Sequence, residues 1–436
     1  MTHRMISPQH GGEAAGPLVA MDKVTGGVKF HLHPNAAPLA TPWQVALERA
    51  GRLAELELPE GVILDPACGS GIQLAAHMMA TQRAGLGIES DEVVALSAAA
   101  NMWRVGTFER SEEAPWLASS QVLVGDGIDS IGAMAVAGEV AIGMLQLDPA
   151  RPQNSQTHAL AEMSPQLGRI FKAWAEHLAV TERGPALLLD LSPRLSDSQC
   201  FEVEAMVEEQ WPGLARTWEW TSRGGGRIDR LSLWLGAASS PGVETRYVRI
   251  PPSSQQAAII VVDSYPREET RSDHPPTSTD SPPPPPGSAR PLPRVGEYLT
   301  ILDAALISSG LAAQWLATVL PQQERFRWFE RGGRRPVIAH RKRLDVETDG
   351  ESLLVQTSGC IVAIISMEIN LENVPLLADI AVENKLRSVT IRAPLDPEIQ
   401  PLVQAALHRM LSGKGGTRSG FVLCDPSSSR LFICRE

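Results

Sequence analysis

The run Asp65-Pro66-Ala67-Cys68-Gly69-Ser70-Gly71 lies where an apolar stretch, residues 62–64, gives way to a helical pattern over about 72–83. A glycine turn at such a junction bends tightly and lets main chain approach a ligand. The helix behind it aims free amide groups at a carboxylate or phosphate. Glu89 ends the next strand pattern, 20 residues beyond Gly69. An acid at that spacing accepts both ribose hydroxyls of a nucleoside; its bland alternative is a surface acid at a strand end. Gly125-Asp126-Gly127 follows a third strand pattern, and Asp126 could accept from an adenine amino group. The three signals together predict a nucleoside site. A dinucleotide fingerprint needs a third glycine where this chain has Leu74, so a pyrophosphate is poorly served. A single Gly-x-Gly facing a carboxylate suits S-adenosyl-L-methionine.

Reacting groups are expected after the fourth and fifth strands, at Leu147-Asp148-Pro149-Ala150-Arg151 and at Asp190-Leu191-Ser192-Pro193. Asp148 there could orient or deprotonate an attacking amine, and Arg151 could hold a phosphate or a base edge. The plain alternative is that Asp148 caps the turn and Arg151 pairs with an acid. Ser192 would line the same rim, or simply end its strand. Cys68 and Cys200 are weighed as thiol nucleophiles and read as structural. The atom to be modified stays open. His31 and His33 share a face if residues 28–33 are extended. Two histidines are a poor metal site, and no metal is expected.

A second constellation spans residues 325–343: Arg325, Arg327, Arg331, Arg334, Arg335, Arg341, Lys342 and Arg343, with one acid and three aromatics interleaved. Guanidinium groups fit phosphates bidentately and stack on unpaired bases. The arginines are read as RNA contacts. Phe326, Trp328 and Phe329 are read as core, because alternation turns one side inward.

Elements must hold these groups in place. Strand patterns at 62–64, 85–88, 121–124, 140–147 and 186–191 alternate with helical ones at 72–83, 91–103, 158–179 and 196–210, which implies parallel pairing. Residues 214–222 and 228–235 flank Arg223-Gly224-Gly225-Gly226-Arg227 and form a hairpin, so the last strand runs antiparallel. Farther on, 297–320 reads as helix broken at Gly310. Strands are expected at 353–357, 360–367, 389–391, 421–423 and 431–434, with helices at 374–385 and 397–411.

Formal net charge is −11, which argues against coating nucleic acid by bulk charge. The acidity is local: residues 1–286 carry −13 and residues 287–436 carry +2. Between them lies a Pro/Ser/Thr-rich stretch with five consecutive prolines at 282–286, read as a spacer. Five scattered cysteines without a C-x-x-C pair exclude a zinc ribbon and a disulfide scaffold. No signal-like apolar core opens the chain, and its apolar stretches are far short of a membrane span. A reduced, cytoplasmic protein is expected.

These residues resemble class I S-adenosylmethionine-dependent methyltransferases over roughly 41–236. Residues 62–71 match the family's first motif, with Ala67 in place of its usual first glycine. Glu89 matches its ribose acid, Asp126 its adenine-side acid, and the hairpin its antiparallel last strand. The chain is similar, more closely, to a prokaryotic group with a C-terminal THUMP-like domain. That likeness rests on the motifs after strands four and five, on Glu219-Trp220-Thr221-Ser222, on Leu233-Trp234-Leu235-Gly236 and on Gly296-Glu297-Tyr298-Leu299. The resemblance implies an α/β fold, a Rossmann-like seven-stranded methyltransferase sheet with an antiparallel last strand, plus a smaller α+β domain. It implies an N-terminal extension 1–40, a methyltransferase domain 41–265, a linker 266–294 and an RNA-binding domain 295–436. The cofactor residues would be Asp65, Ala67, Cys68, Gly69, Gly71, Glu89, Asp126 and Asp148. Asp148, Arg151 and Ser192 would be catalytic, S-adenosyl-L-homocysteine the product, and tRNA or rRNA the substrate. N6-adenine methylases carry an aromatic where this chain has Ala150-Arg151, so the stacking face is missing. Rival readings are methylation of a protein or small molecule, and a non-catalytic RNA-binding factor on a vestigial cofactor fold.

Overall fold

A computed structural model describes residues 2–11, 18–20, 29–32, 40–108, 112–138, 140–151, 159–252, 258–262, 292–321, 325–346, 351–425 and 428–436. The expected linker up to residue 291 lies outside the described residues, and so does His33. The chain divides into two compact units, Met1–Arg223 with Ile228–Glu269, and Gly224–Arg227 with Thr270–Glu436.

The first unit is an α/β fold built on one large mixed sheet. Its strands are β1 (Arg4–Ile6), β4 (Val62–Asp65), β5 (Gly85–Glu89), β6 (Gln121–Val124), β7 (Ile142–Leu147), β8 (Ala186–Leu191), β9 (Arg216–Ser222), β10 (Arg230–Gly236), β11 (Thr245–Arg249) and β12 (Ile259–Val262). A separate ribbon pairs β2 (Leu18–Ala20) with β3 (Lys29–His31). The order is β1-β6-β5-β4-β7-β8-β10-β9-β11-β12. The middle run β6-β5-β4-β7-β8 is parallel, and β10 is antiparallel to both β8 and β9. All six residues of β7 and of β8 are buried, as continuous apolar strands covered on both faces must be.

Among the described residues the sheet thus has ten strands where seven were expected. The additions are β1 on β6 and β11–β12 beyond β9. β1 has three residues, too few to show a period. The apolar stretch that becomes β12 carries no alternation to mark it as a partner for β11.

Helices α1 (Pro8–Gly11), α2 (Trp43–Ala54), α3 (Ile72–Thr81) and α4 (Glu92–Thr107) precede β6. After it come α5 (Ser130–Ala137), α6 (Leu167–Trp174) and α7 (Asp197–Gln210). One core joins α2, α3 and α4 to the sheet and another joins α5, α6 and α7 to its other face. Asp91 caps α4 by accepting from the Val93 and Val94 amides, and Ser196 with Gln199 forms a capping box on α7.

The second unit holds β13 (Tyr298–Leu302), α8 (Ala304–Ser308), α9 (Ala312–Val319), β14 (Arg327–Glu330), β15 (Val337–His340), β16 (Val355–Ser366), α10 (Val374–Glu383), β17 (Leu386–Ile391), α11 (Ile399–Leu411), β18 (Arg418–Cys424) and β19 (Arg430–Arg435). Its sheet runs β14-β15-β13-β16-β19-β18-β17, antiparallel except for β17 on β18. The helix expected over 297–320 is corrected here: it begins as a strand. Leu299 and Ile301 enter the core two residues apart, and Asp303 then caps α8 by accepting from the Ala305 amide. Gly310 does break the helical part, with φ +76° between α8 and α9. Residues 353–357 and 360–367 belong mainly to one long strand, β16, rather than two. Among the described residues no helix is long and apolar enough to cross a membrane.

Candidate active site

Strands β4, β5, β6 and β7 all deliver their C-terminal ends to one cavity of about 480 Å3, the usual ligand position in a parallel sheet. Asp65, Glu89, Asp126 and Asp148 all line it, and among the described residues its lining contains no lysine or arginine. Residues 66–70 also line it.

Two glycines here are dictated by geometry. Gly69 has φ +52° with open space where a Cβ would stand, so the loop turns without a side chain over the cavity. A Cβ on Gly127 would lie 1.8 Å from the Pro66 oxygen, so only glycine lets the two loops cross. Gly71 is placed differently from the expectation. It does not line the cavity; its φ is +68°, and a Cβ there would come within 2.9 Å of Ala98. It starts α3 and lets α3 and α4 pack closely.

Glu89 is held from two sides. Its Oε2 accepts from the Gly69 amide at 3.1 Å, and its Oε1 from the Asp91 amide at 2.9 Å. Asp126 is exposed, with Oδ1 accepting from the Ile128 amide at 3.1 Å. His3, ahead of β1, reaches the Asp126 main-chain oxygen through Nε2 at 3.2 Å.

Asp65 is 3% exposed, and burial pushes its carboxyl up to about 7. Hydrogen bonds from the Gln146 amide (2.6 Å) and the Ala67 main chain (3.1 Å) oppose that rise, whereas the charges of Asp148 and Asp190 add to it. With its nitrogen on Asp65, Gln146 turns its oxygen to His77 Nδ1. Burial, with the charge of Arg49, pushes His77 down to about 3 and keeps it neutral.

Asp148 is 29% exposed at its side chain and lies 3.2 Å from Arg230 of β10. Burial raises its pKa, Arg230 opposes the rise and Asp190 adds to it. Arg230 also donates to Thr41 Oγ1 at 2.6 Å, and Thr41 donates to Gln73 Oε1 at 3.1 Å. Thr41 and Gln73 both line the cavity. Gln73 donates in turn to Asp190, which Arg49 grips through both oxygens at 2.9 and 2.6 Å. Burial alone would raise Asp190, but Arg49 and Arg230 hold it below the usual carboxylate range. A buried network thus backs the cavity and fixes Asp148 from behind.

Two of the three residues expected to be catalytic lie outside the cavity wall. Ser192 is buried at the end of β8, accepts from the Arg194 amide at 3.3 Å and does not line the cavity. Arg151 is also absent from the lining and reaches the Asp190 main-chain oxygen at 3.5 Å. The His31 amide donates to Asn101 Oδ1 at 2.7 Å, and Asn101 also donates to the Ser70 oxygen at 2.9 Å. Its imidazole is not in the cavity wall. In the second unit, Arg327 is occupied by two hydrogen bonds to Glu297 at 2.9 and 2.5 Å.

Ala67 and Cys68 line the cavity as expected. Burial raises the Cys68 thiol well above its ordinary value and pushes Cys200 up to about 11, so both stay protonated. In the basic stretch, Arg325, Arg334, Arg341, Lys342 and Arg343 are exposed and Arg335 is half-buried. The Arg331 guanidinium stands 5.5 Å from the Trp328 ring centre. Phe329 is core, 5.2 Å from Phe432, whereas Phe326 and Trp328 are half-buried. Among the described residues no cluster of three His, Cys, Asp or Glu side chains could hold a metal.

Thr41, Arg49, Gln73, His77, Gln146 and Arg230 went unread in the sequence. Three had a usable signal: Gln73 and His77 interrupt the apolar pattern of α3, and Gln146 that of β7. A polar residue within a buried run needs a partner.

The chain is similar to solved structures. One is a protein from Porphyromonas gingivalis W83 described as a candidate methyltransferase, at 13% identity and TM-score 0.54 over 92% of this chain and 82% of that one. Others are a SAM-dependent methyltransferase from Agrobacterium tumefaciens (15%, TM-score 0.32, 45% and 62%) and human methyltransferase-like protein 13 in complex with SAH (18%, TM-score 0.27, 46% and 80%). No family model matches the chain, and no curated protein matches it significantly. The likeness to the Porphyromonas gingivalis protein is one of fold.

Proposed function

We propose that the chain is an S-adenosyl-L-methionine-dependent methyltransferase whose acceptor is a nucleotide in structured RNA. One observation carries the cofactor half: a cavity at the strand ends with four carboxylates and, among the described residues, no cation in its wall. Such a wall suits a nucleoside bearing a sulfonium and an ammonium group and opposes a pyrophosphate. Glu89 is set to hold the ribose hydroxyls and Asp126 the adenine amino group. The start of α3 offers amides to the amino-acid carboxylate, and Asp65 offsets the adjoining positive charge. When bound, the cofactor supplies a methyl group already activated on sulfur. The protein must align an acceptor and, for an amine, take its proton. Asp148 is the acid in place for that, with Arg230 and the Thr41–Gln73 network fixing its carboxylate.

The RNA half is supported by the resemblance, by the charge split and by the exposed arginines of 325–343. Incubation with methyl-labelled cofactor and separated total RNA and protein tests it. Label is expected in RNA, and Asp148→Ala is expected to lower transfer at least a hundredfold at saturating cofactor. Label in protein alone assigns a protein acceptor. Undiminished transfer by Asp148→Ala removes its proposed role.

A further inference from the structure

A second cavity, of about 300 Å3, opens between α6 and α7. Buried Leu160 and Leu167 line it together with half-buried Met206, and exposed Arg169, Lys172 and Glu202 stand around them. No ion pair joins Arg169 or Lys172 to an acid among the described residues. Two cations against one acid is a local reversal, since the neighbouring cavity carries four acids and no cation.

One stretch of chain, residues 164–167, forms part of the wall of both cavities. Ser164 and Pro165 line the first, and Gln166 and Leu167 line the second. Paired main-chain hydrogen bonds between Ala150 and Ser164, at 3.0 and 2.9 Å, pin that wall beside Asp148. Trp174 at the far end of α6 donates to the Gly127 oxygen at 2.7 Å, tying the helix to the Asp126 turn. The segment from Ser164 through α6, which lines the second cavity, is therefore tied to the loops that carry Asp148 and Asp126.

We propose that this cavity is an acceptor subsite for a phosphodiester-linked nucleotide of RNA. The base would lie on Leu160, Leu167 and Met206, and its phosphate on Arg169 and Lys172. The apolar surface suits a base face, and the two unpaired cations suit a phosphate. The proposal rests on the RNA reading above.

Fluorescence anisotropy of labelled total tRNA, across a salt series with the full chain, tests it. Arg169→Ala with Lys172→Ala is expected to weaken binding about tenfold at low salt. The salt slope should fall by about one to two, each lost phosphate contact removing roughly 0.7–0.9. Glu202→Lys is expected to tighten binding severalfold, and Arg169→Lys with Lys172→Arg to keep wild-type behaviour. S-adenosylhomocysteine affinity should stay unchanged in all of them, which reports an intact fold. If wild type binds tRNA and the double alanine variant binds with the same affinity and slope, the subsite is wrong and the RNA reading stands. If wild type binds neither tRNA nor rRNA in the same assay, both fall. If the double variant loses affinity only for an acidic peptide such as oligoglutamate, the cavity belongs to a protein acceptor and the subsite is overturned.

Discussion

Asp65 owes its value of about 7 to burial, and that value makes it responsive at neutral pH. Its raised pKa means that the proton is retained below 7 and lost above it. A carboxylate attracts a sulfonium and a protonated carboxyl does not, so affinity for S-adenosyl-L-methionine is expected to rise by up to about tenfold between pH 6 and 8. Titration calorimetry across that range checks this, with Asp65→Asn expected to flatten the profile. For the empty protein the sign is opposite: the raised group favours the folded state below its unfolded value, and this contribution is lost as pH rises through 7. Asp65, Glu89, Asp126 and Asp148 were legible in the sequence because each closes or follows a strand pattern. Arg49 and Arg230 were not. Their partners lie far along the chain, with Arg49 and Asp190 separated by 141 positions, and nothing local to α2 or β10 marks such a pairing.

At the scale of elements, continuous apolar runs and glycine turns were readable, since both follow from local demands. Residues 121–124 and 186–191 became β6 and β8 with those bounds. β1 and β12 were not readable as sheet members, because an edge strand is fixed by the neighbour it pairs with more than by its own pattern, and β11 went unread with its partner β12. The start of the second unit failed for a related reason: a five-residue strand next to helix was absorbed into the helical pattern. The crossing of the Gly125–Gly127 turn over the β4–α3 loop yields a test. Gly127→Ala places a methyl group against the Pro66 oxygen and must push the turn away. S-adenosylhomocysteine affinity is expected to fall more than tenfold while far-ultraviolet circular dichroism is retained. A variant that binds normally would show that the turn does not shape the site.

Over the whole molecule, the average charge of −11 conceals two opposed local fields. The first unit's cavity wall is acidic, whereas the second unit carries the exposed arginines of 325–343. The sequence revealed this split once the charge was counted on either side of the proline-rich stretch. It did not reveal that Arg327 is consumed by Glu297, nor that cations gather beside the acidic cavity at Arg169 and Lys172. The acidic cavity is the centre of the account, and ligand choice tests it most directly. Calorimetry should compare S-adenosylhomocysteine with NAD on wild type and on Glu89→Ala. The account predicts that S-adenosylhomocysteine binds wild type, that NAD does not, and that Glu89→Ala weakens binding at least tenfold, about 1.4 kcal/mol. Binding of NAD in its place, no heat with S-adenosylhomocysteine, or equal affinity in the Glu89→Ala variant would contradict it.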